Sequence, residues 1–357
     1  HEVTYQAWNG NDAETMKTDR TFNSAGALYD ANGVVGYYDN QVDDYRQDHN
    51  QVHLTQGLND TWNANVSAHY TYGRRYYEVY EQDQAFSNKG LPDINVGSET
   101  ISEGDFIVRK WLDNHFYGTT FSFNYDYEKT NLTIGGAYNI NSPAKHYGEI
   151  IWAEYAGNVP IRDHYYEGRS EKNDGNLYAK VNYQLTDALN LFGDVQWRNV
   201  RYQTSGVDEY QFAYDFNDTI NFLNPKAGVT YSVSGRDLFH ASYAIANREP
   251  NRTDYLSGAV KPKPEQLGNL EVGWDRSTDK YSLGVNYYLM NYRDQLVLTG
   301  QLDNVGNPIR ANVGSSYRTG VELNALWKIT DQLSWNVNAT WSVNRNIDFV
   351  FVDQNGT

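Results

Sequence analysis

Apolar and polar residues alternate strictly along several stretches of the chain, and two stretches show this most clearly. Residues 62–72 place on one face Trp62, Ala64, Val66, Ala68, Tyr70 and Tyr72. Residues 333–344 place on one face Leu333, Trp335, Val337, Ala339, Trp341 and Val343. Successive side chains of a β-strand point to opposite sides. Each stretch therefore predicts a strand with one apolar face and one polar face.

The alternation predicts twelve strands, arranged as six hairpins with short turns. The turns carry residues typical of tight reversals, such as Asn59-Asp60 and Thr330-Asp331. The predicted hairpins cover residues 51–72, 115–141, 176–202, 224–247, 267–298 and 310–344. Residues 1–46 show no sustained period and are predicted to form an extracellular, irregular segment, whereas residues 47–357 form the predicted barrel portion.

The connections between the hairpins are long and polar, in contrast to the turns within them. They cover residues 73–114, 142–175, 204–223 and 248–266. Outer-membrane barrels have short turns on the periplasmic side and long loops outside. The apolar faces end in aromatic residues such as Trp62 and Trp335, as an interfacial girdle requires. We therefore predict an all-β fold, an antiparallel transmembrane β-barrel, with a soluble β-sandwich or propeller as the alternative that shares the alternation.

The bulk composition narrows the possible partners without arguing against a barrel. The formal net charge of −16 argues against a nucleic-acid partner, since phosphate recognition requires an excess of Lys and Arg. No Cys is present, so disulfides and thiolate metal sites are excluded. The mean hydropathy is −0.73, and no stretch approaches the ~20 continuous apolar residues of a membrane helix. A barrel strand exposes only alternate residues to lipid, so averaged hydropathy does not detect it.

The sequence lacks motifs for catalysis or for a resident metal. Gly-x-Ser-x-Gly, His-Glu-x-x-His and the Walker phosphate loop do not occur. The eight His residues are scattered, and three of them fall on the polar faces of predicted strands: His53, His69 and His240. We therefore predict no enzyme activity, no catalytic residue, no cofactor and no resident metal site.

Arginine and aromatic residues cluster in the predicted loops instead. Aromatic rings and guanidinium groups bind planar or anionic ligands through stacking, cation–π contacts and forked hydrogen bonds. The alternative for each residue is a structural role, in which tyrosines of neighbouring loops pack on one another. The candidate ligand-binding residues are Arg74, Arg75, Tyr76, Tyr77, Trp152, Tyr155, Arg162, Tyr165, Tyr166, Arg248, Arg252 and Tyr255.

Several short motifs follow one another in an order that resembles a known family. They are residues 5–10 (YQAWNG), 110–118 (KWLDNHFYG), 247–252 (NREPNR), 264–274 (PEQLGNLEVGW), 294–300 (DQLVLTG) and 317–323 (YRTGVEL). Together they resemble the barrel domain of TonB-dependent outer-membrane receptors, especially the siderophore- and cofactor-type receptors of Bacteroidetes. The resemblance spans nearly all of the chain.

The resemblance implies a 22-stranded barrel with a plugged lumen. This chain would be roughly half of that barrel, without the plug, the TonB box and the C-terminal strands. The implied location is the bacterial outer membrane, in contact with its lipid. The TonB–ExbB–ExbD complex is the implied partner and acts through the missing N-terminal part.

The same resemblance implies that extracellular loops bind a scarce small molecule, which then passes through the barrel. An iron–siderophore is the first expectation, with haem or a cobalamin next. On this interpretation, removal of residues 73–114 from the complete receptor would abolish uptake without stopping barrel assembly. Two alternatives are a glycan-importing receptor that works with a surface lipoprotein and a non-transporting surface adhesin or porin.

Overall fold

Most of the chain folds into antiparallel strands in the computed structural model, which describes residues 2–4, 27–31, 33–38, 42–257, 261–302 and 308–347. The strands are β1 (Glu2–Thr4), β2 (Ala27–Asp30), β3 (Gly33–Tyr37), β4 (Val42–Gly57), β5 (Trp62–Ala85), β6 (Ile94–Val96), β7 (Glu99–Ile101), β8 (Glu103–Tyr127), β9 (Thr130–Ala153), β10 (His164–Gln184), β11 (Leu189–Val207), β12 (Ala213–Ser232), β13 (Asp237–Arg248), β14 (Glu265–Ser277), β15 (Tyr281–Leu302), β16 (Pro308–Lys328) and β17 (Ser334–Ile347). A 3-10 turn, Phe86–Lys89, follows β5, and a short helix, α1 (Arg252–Ser257), follows β13. No helix in the described parts of the chain is long and apolar enough to cross a membrane.

One large sheet contains all the long strands in the order β1-β4-β5-β8-β9-β10-β11-β12-β13-β14-β15-β16-β17. Its six hairpins are the predicted ones, so the prediction of twelve antiparallel strands is confirmed. The short β1 adds a thirteenth strand, which pairs with Gln51–His53 of β4. Within the described residues, β1 and β17 are the two edges of this sheet, and β2-β3 and β6-β7 form separate ribbons.

The apolar residues of neighbouring strands lie opposite one another and form a continuous band on one face of the sheet. Val66 of β5 lies opposite Phe121 of β8, and Phe121 lies opposite Gly136 of β9. The same band continues to the last strand, where Val321 of β16 lies opposite Trp341 of β17. Because these side chains stay exposed, with Val66 at 44%, the band presents a surface suited to lipid.

Aromatic residues border this band next to the short turns. Trp62 packs on Tyr125 with ring centroids 5.1 Å apart. Further along the sheet, Trp327 lies directly opposite Trp335. Trp and Tyr rings of this kind place an apolar body in the membrane and a polar edge at the interface. The predicted girdle is therefore present at the end of the sheet that carries the short turns.

The opposite face of the same strands is covered by small polar side chains that bond to one another. Asn124 Nδ2 donates to Asn63 Oδ1 at 2.9 Å, and Thr133 Oγ1 donates to Asn124 Oδ1 at 3.0 Å. His53 Nδ1 lies 2.9 Å from Ser67 Oγ on the same face. Such a surface matches the wet interior of a barrel, and we call it the inner face.

Connections at the two ends of the sheet differ, as predicted, but the long connections are shorter than expected. Short turns join strands at residues 58–61, 128–129, 185–188, 233–236, 278–280 and 329–333. The connections at the other end include residues 86–102, 154–163, 208–212 and 249–264, and residues 258–260 of the last lie outside the described residues. We call the part of the sheet next to the short turns the lower half and the part next to the longer connections the upper half.

The prediction that residues 73–114 form one loop is wrong, because β5 continues to Ala85 and β8 begins at Glu103. The predicted loops at 142–175 and 204–223 likewise contain the upper parts of β9, β10, β11 and β12. In these upper parts the polar and charged residues lie on both faces, so the alternation disappears. Backbone pairing nevertheless persists, for example between Tyr77 and Lys110, since it does not depend on side-chain polarity.

The N-terminal segment 1–46 was predicted to be irregular, and much of it lies outside the described residues. The described parts contain the short strands β1, β2 and β3, and β4 begins at Val42 rather than near residue 47. Its assignment as an extracellular segment stays a prediction. The first of the family-like motifs, residues 5–10, and residues 348–357 also lie outside the described residues.

Candidate ligand-binding mouth of the inner face

The upper half of the sheet separates the predicted ligand-binding residues onto two faces. In β5 the even-numbered residues from Trp62 to Tyr72 form the outward, apolar face. Strand alternation then directs Arg74 and Tyr76 outward, and Arg75 and Tyr77 to the inner face. Consecutive residues that look like one motif in the sequence therefore belong to two different surfaces.

The outward group forms a ladder of rings and cations above the apolar band. The Tyr76 ring lies 4.4 Å from the ring of Trp111, and the Arg74 guanidinium carbon lies 4.5 Å from Trp111. Trp152 stacks on Tyr80 with centroids 6.4 Å apart. Arg162 Nη1 lies 3.7 Å from Glu149 Oε2 on the outward face. These four predicted residues, Arg74, Tyr76, Trp152 and Arg162, do not line the interior, and their role in binding stays a prediction.

Tyr155 belongs to a small apolar core at the top of the sheet. Its ring meets Phe86 edge-on at 4.8 Å, and its hydroxyl donates to the carbonyl oxygen of Pro92 at 2.8 Å. The buried members of this core are Val79, Phe86, Leu91, Phe106, Val108 and Ile150. The core fixes the connection 86–102 to the strands beneath it. Tyr155 therefore has the structural role that the sequence left open.

The inner face of the upper half carries a group of charged side chains and phenols, most of them buried, which we call the mouth cluster. Its charged members come from β5, the 3-10 turn, β8 and the connection 208–212; its phenols come from β5 and β10. The members are Tyr77, Glu81, Lys89, Lys110, Tyr165, Tyr166 and Glu209.

Ion pairs hold the mouth cluster together. Lys110 Nζ donates to Glu209 Oε2 at 2.5 Å and lies 2.9 Å from Glu81 Oε1. Lys89 Nζ donates to Glu81 Oε2 at 2.7 Å and also lies 4.7 Å from the ring centroid of Tyr165. Two cations thus balance two carboxylates. The Lys89 side chain is only 3% exposed, which requires such a partner.

Burial and neighbouring charges fix the protonation states in the mouth cluster. Burial alone would raise the pKa of Glu81, but the ammonium groups of Lys89 and Lys110 outweigh it and hold that pKa below its ordinary value. Burial raises the pKa of Tyr165 and of Tyr166 well above the ordinary range. At neutral pH the carboxylate is therefore ionised and both phenols keep their protons.

A second group, the Arg252 cluster, joins the connection 249–264 to the inner face. Arg252 lies at the start of α1, and its Nη2 donates to His146 Nε2 at 2.6 Å. Tyr214 Oη lies 2.9 Å from the same nitrogen. Burial, and then the charge of Arg252, lowers the pKa of His146 to about 4. The imidazole is therefore neutral at pH 7, and its Nε2 can accept the bond from Arg252.

Tyr255 and Glu249 extend this contact along the inner face. Tyr255 Oη donates to Asp218 Oδ2 at 2.7 Å, and its ring stacks on Phe216 at 4.8 Å. Glu249 accepts bonds from Arg198 Nη1 at 2.9 Å and Lys172 Nζ at 2.7 Å. A cavity of about 210 Å³ lies between these residues. Helix α1 is thus folded against the wall at the mouth.

The sequence anticipated some of these inner residues and missed others. The predicted Tyr77, Tyr165, Tyr166, Arg252 and Tyr255 reach the two clusters. Arg75 lines a separate inner cavity of about 550 Å³, and Arg248 is 62% exposed beside Glu265. The residues missed are Glu81, Lys89, Lys110, His146 and Glu209. They come from separate segments of the chain. The pairing register of β5 and β8 places Lys110 opposite Tyr77, and the sequence does not reveal that register.

The chemistry available at the mouth is recognition rather than bond-making. Its groups are paired ions, neutral phenols and stacked rings, and each of these binds a ligand without forming a covalent bond. In the described part of the chain, His, Asp and Glu side chains form no group of three or more that could hold a metal ion. The arrangement suits a polar or charged guest at the open end of a barrel.

A sheet of long antiparallel strands, apolar outside and polar inside, with unequal ends, defines the wall of an outer-membrane β-barrel. The family described as TonB dependent receptor-like, beta-barrel, matches residues 1–357. The chain belongs to this family, whose members are outer-membrane receptors and transporters rather than enzymes. No curated protein matches the chain.

Solved structures share the fold at low sequence identity. The ferric-catecholate import receptor Fiu of E. coli K12 is 14% identical with a TM-score of 0.62, over 94% of this chain and 51% of that one. The siderophore receptor PiuA of Acinetobacter baumannii is 16% identical with a TM-score of 0.62, over 90% and 50%. The copper transporter OprC is 12% identical with a TM-score of 0.66, over 85% and 48%. The chain therefore spans about half the length of these structures.

Proposed function

We propose that this chain forms part of the barrel wall of a TonB-dependent receptor. That receptor binds an iron–siderophore at its extracellular mouth and imports it. The observation that carries this proposal is the inward folding of the extracellular connections. Lys89 of connection 86–102 and Arg252 of connection 249–264 both reach the inner face and bond to strand residues there. Cations and phenols from loops and wall together form a surface on which a guest entering the barrel would be held.

The cations of the mouth support an anionic or strongly polar guest, although those of the mouth cluster are paired. Lys110 lies beside the neutral phenols of Tyr165 and Tyr166 and binds carboxylates that an anionic guest could replace, and Arg252 donates to a neutral imidazole. Such groups recognise oxygen-rich ligands through charge-assisted hydrogen bonds. Two of the similar structures are a ferric-catecholate import receptor and a siderophore receptor, which favours an iron–siderophore among the ligands this surface suits.

Uptake would require parts of the receptor beyond this chain. The family name implies energy from TonB, and we propose that the TonB–ExbB–ExbD complex acts through a plug domain held within the complete barrel. Haem and a cobalamin are the next candidate ligands. Within the family, we propose that the receptor is of the siderophore type found in Bacteroidetes.

The test is uptake of iron-55 by cells that carry the full-length receptor, offered catecholate, hydroxamate and citrate complexes. The variant replaces residues 86–102 with a short Gly-Ser linker, which leaves β5 and β8 intact, unlike a deletion of 73–114. We expect uptake of at least one complex by the receptor and its loss in the variant. Heat-modifiable migration on gels reports whether the barrel still assembles.

A matched control inserts an equal number of Gly and Ser residues at the short turn Glu128–Lys129, at the opposite end of the sheet. This insertion should leave uptake unchanged. Normal uptake by the loop variant would contradict the role given to the mouth. If no iron complex is taken up while oligosaccharides are, and only with a surface lipoprotein present, the receptor imports glycans instead.

A further inference from the structure

Lys110 is bound by two carboxylates that the fold holds with unequal firmness. Glu81 lies on β5, is 13% exposed and binds Lys89 as well. Glu209 lies in the five-residue connection 208–212, is 36% exposed, and has Lys110 as its ion-pair partner. Removing Glu81 would take a carboxylate from both cations and leave Lys89 without an ion-pair partner among the described residues, whereas Lys110 stays paired with Glu81 when Glu209 is removed. Glu209 is therefore the carboxylate that another group can replace.

The connection that carries Glu209 is held in a closed position by few contacts. Gln211 Nε2 donates to the carbonyl oxygen of Tyr165 at 2.7 Å and to that of Asn88 at 3.4 Å. Gln211 itself has a φ of 68°, a left-handed conformation that side chains other than Gly adopt at a cost. Hydrogen bonds to Asp208 fix this conformation within the turn, and the contacts of Glu209 and Gln211 hold the turn over the mouth cluster.

The surroundings of Lys110 contain a donor that lacks an acceptor. Tyr165 Oη is buried and has no hydrogen-bond partner among the described residues. Tyr77 lies with its ring centroid 6.0 Å from Lys110 Nζ. A buried hydroxyl without a partner is unfavourable, so an additional oxygen acceptor entering this cluster would satisfy it. Cation, free phenol and replaceable carboxylate occur together.

We propose that Lys110 is a binding site for a carboxylate or similar compact oxyanion of the imported ligand, occupied by Glu209 when the ligand is absent. This inference rests on the proposed uptake function and names the contact that the mouth makes with its ligand. The entering oxyanion takes the place of the Glu209 carboxylate on Lys110 Nζ. The cluster keeps two negative groups against two positive ones, so no buried charge is left unpaired.

Exchange of the two oxyanions has a consequence for the loop. Once Lys110 binds the ligand, connection 208–212 loses the ion pair of Glu209 and keeps the hydrogen bonds within its own turn and those of Gln211 to Tyr165 and Asn88. The turn then has fewer contacts that hold it over the mouth cluster. Ligand binding and release of this connection are therefore coupled, with Glu209 as the competing internal group.

The binding test uses the full-length receptor and citrate as a soluble oxyanion, measured by calorimetry. Glu209→Ala removes the internal competitor, and citrate should bind about tenfold more tightly, which corresponds to the loss of one ion-pair contact. Adding Lys110→Met to Glu209→Ala should abolish this gain, whereas adding Lys110→Arg should retain it. Glu103→Gln, an exposed acid at the start of β8, is the matched control and should bind like the parent.

The loop test uses Tyr210→Cys, at a half-buried position of the same connection, since this chain contributes no other Cys. Maleimide labelling of Cys at 210 should be several-fold faster in Glu209→Ala, and citrate should accelerate it in the otherwise unchanged receptor. Heat-modifiable migration identifies any variant that fails to assemble. If Lys110→Met fails to assemble, the comparison with Lys110→Arg still tests the site. Citrate affinity unchanged by Glu209→Ala, or a gain that survives Lys110→Met, would overturn the proposal.

The outcomes separate this inference from the proposed function. Normal siderophore uptake with unchanged citrate affinity would reject the Lys110 site and leave uptake standing. Citrate binding with the expected pattern, in a receptor that takes up no iron complex, would support the site and reject iron uptake.

Discussion

The lower and upper halves of the sheet use the same backbone pairing for two different purposes. In the lower half, exposed apolar residues such as Val66 face outward, and small polar residues such as Ser67 face inward. In the upper half, charged residues such as Glu81 and Lys110 are buried inside, and rings such as Trp111 pack on cations outside. One half is built to sit in lipid, and the other is built to hold loops and a guest.

The contrast teaches that charge in this wall follows the solvent on each side. Lipid offers no partner to a charged group, so the outward face of the lower half is formed by the apolar band. Above the lipid both faces can carry ions, provided that the buried ones are paired. Variants that move a residue type from one half to the other therefore test the assignment of the halves directly.

The largest effect is expected from Phe86→Ala in the upper half. Phe86 is 1% exposed and packs on Phe106 and Tyr155. Loss of a buried Phe side chain costs about 3–5 kcal/mol, here concentrated in connection 86–102. We expect this connection to become sensitive to protease on intact cells while the lower half stays folded. Loss of the whole barrel instead would contradict the division into halves.

A slightly smaller effect is expected from Val66→Arg in the lower half. An Arg on the lipid face of a barrel costs about 2–4 kcal/mol near the bilayer midplane. Folding of the full-length receptor into lipid vesicles, titrated with urea, measures this loss. The matched control is Ser67→Arg, one residue along on the inner face, and it should cost much less because water is available there. Equal losses would show that the faces are wrongly assigned.

The lower half was predictable from the sequence for the same physical reason. Lipid on one side and water on the other impose a period of two on side-chain polarity, as at residues 62–72 and 333–344. The upper half has water on both sides, so polarity no longer alternates, and β5 beyond Tyr72 looked like a loop. Hydrogen bonding between β5 and β8 nevertheless continues to Ala85 opposite Glu103.

The site was predictable only in its residue types. Tyr and Arg were expected to bind, and Tyr77, Tyr165 and Arg252 do reach the inner face. Their partners were not predictable, because Lys110 and Glu209 lie 99 residues apart in the chain. The two faces of β5 also divide Arg74 from Arg75, although nothing in the composition of that segment distinguishes them. Register and loop closure, rather than local sequence, decide both points.

A moderate effect is expected from Tyr255→Phe, which removes one hydrogen bond and keeps the ring. Tyr255 Oη donates to Asp218, while its ring stacks on Phe216. Loss of the bond should weaken docking of α1 by about 0.5–1.5 kcal/mol. The mobility of a spin label at Lys263→Cys, in the same connection, should rise. Tyr243→Phe, on the outward face of the lower half, is the control and should leave that mobility unchanged.

The smallest effect at neutral pH is expected from replacing His146. This prediction tests the upper half alone. Its pKa is lowered from 6.5 to about 4, first by burial and then by Arg252. The folded mouth therefore favours the neutral ring, and its contact with Arg252 is fully present above pH 6.5 and lost as the pH falls through about 4.

The spin label at Lys263→Cys should accordingly become more mobile between these pH values. In His146→Gln the group that titrates is gone, and the side-chain amide can still accept a bond from Arg252. This variant should show little change in label mobility over the same interval. A pH response that persists in His146→Gln would mean that another group, such as the Asp218 carboxylate beside Tyr255, controls the docking of α1. A response seen only with His146 present would show that this imidazole links connection 249–264 to strand β9. Both lie in the upper half, where buried polar groups decide the structure.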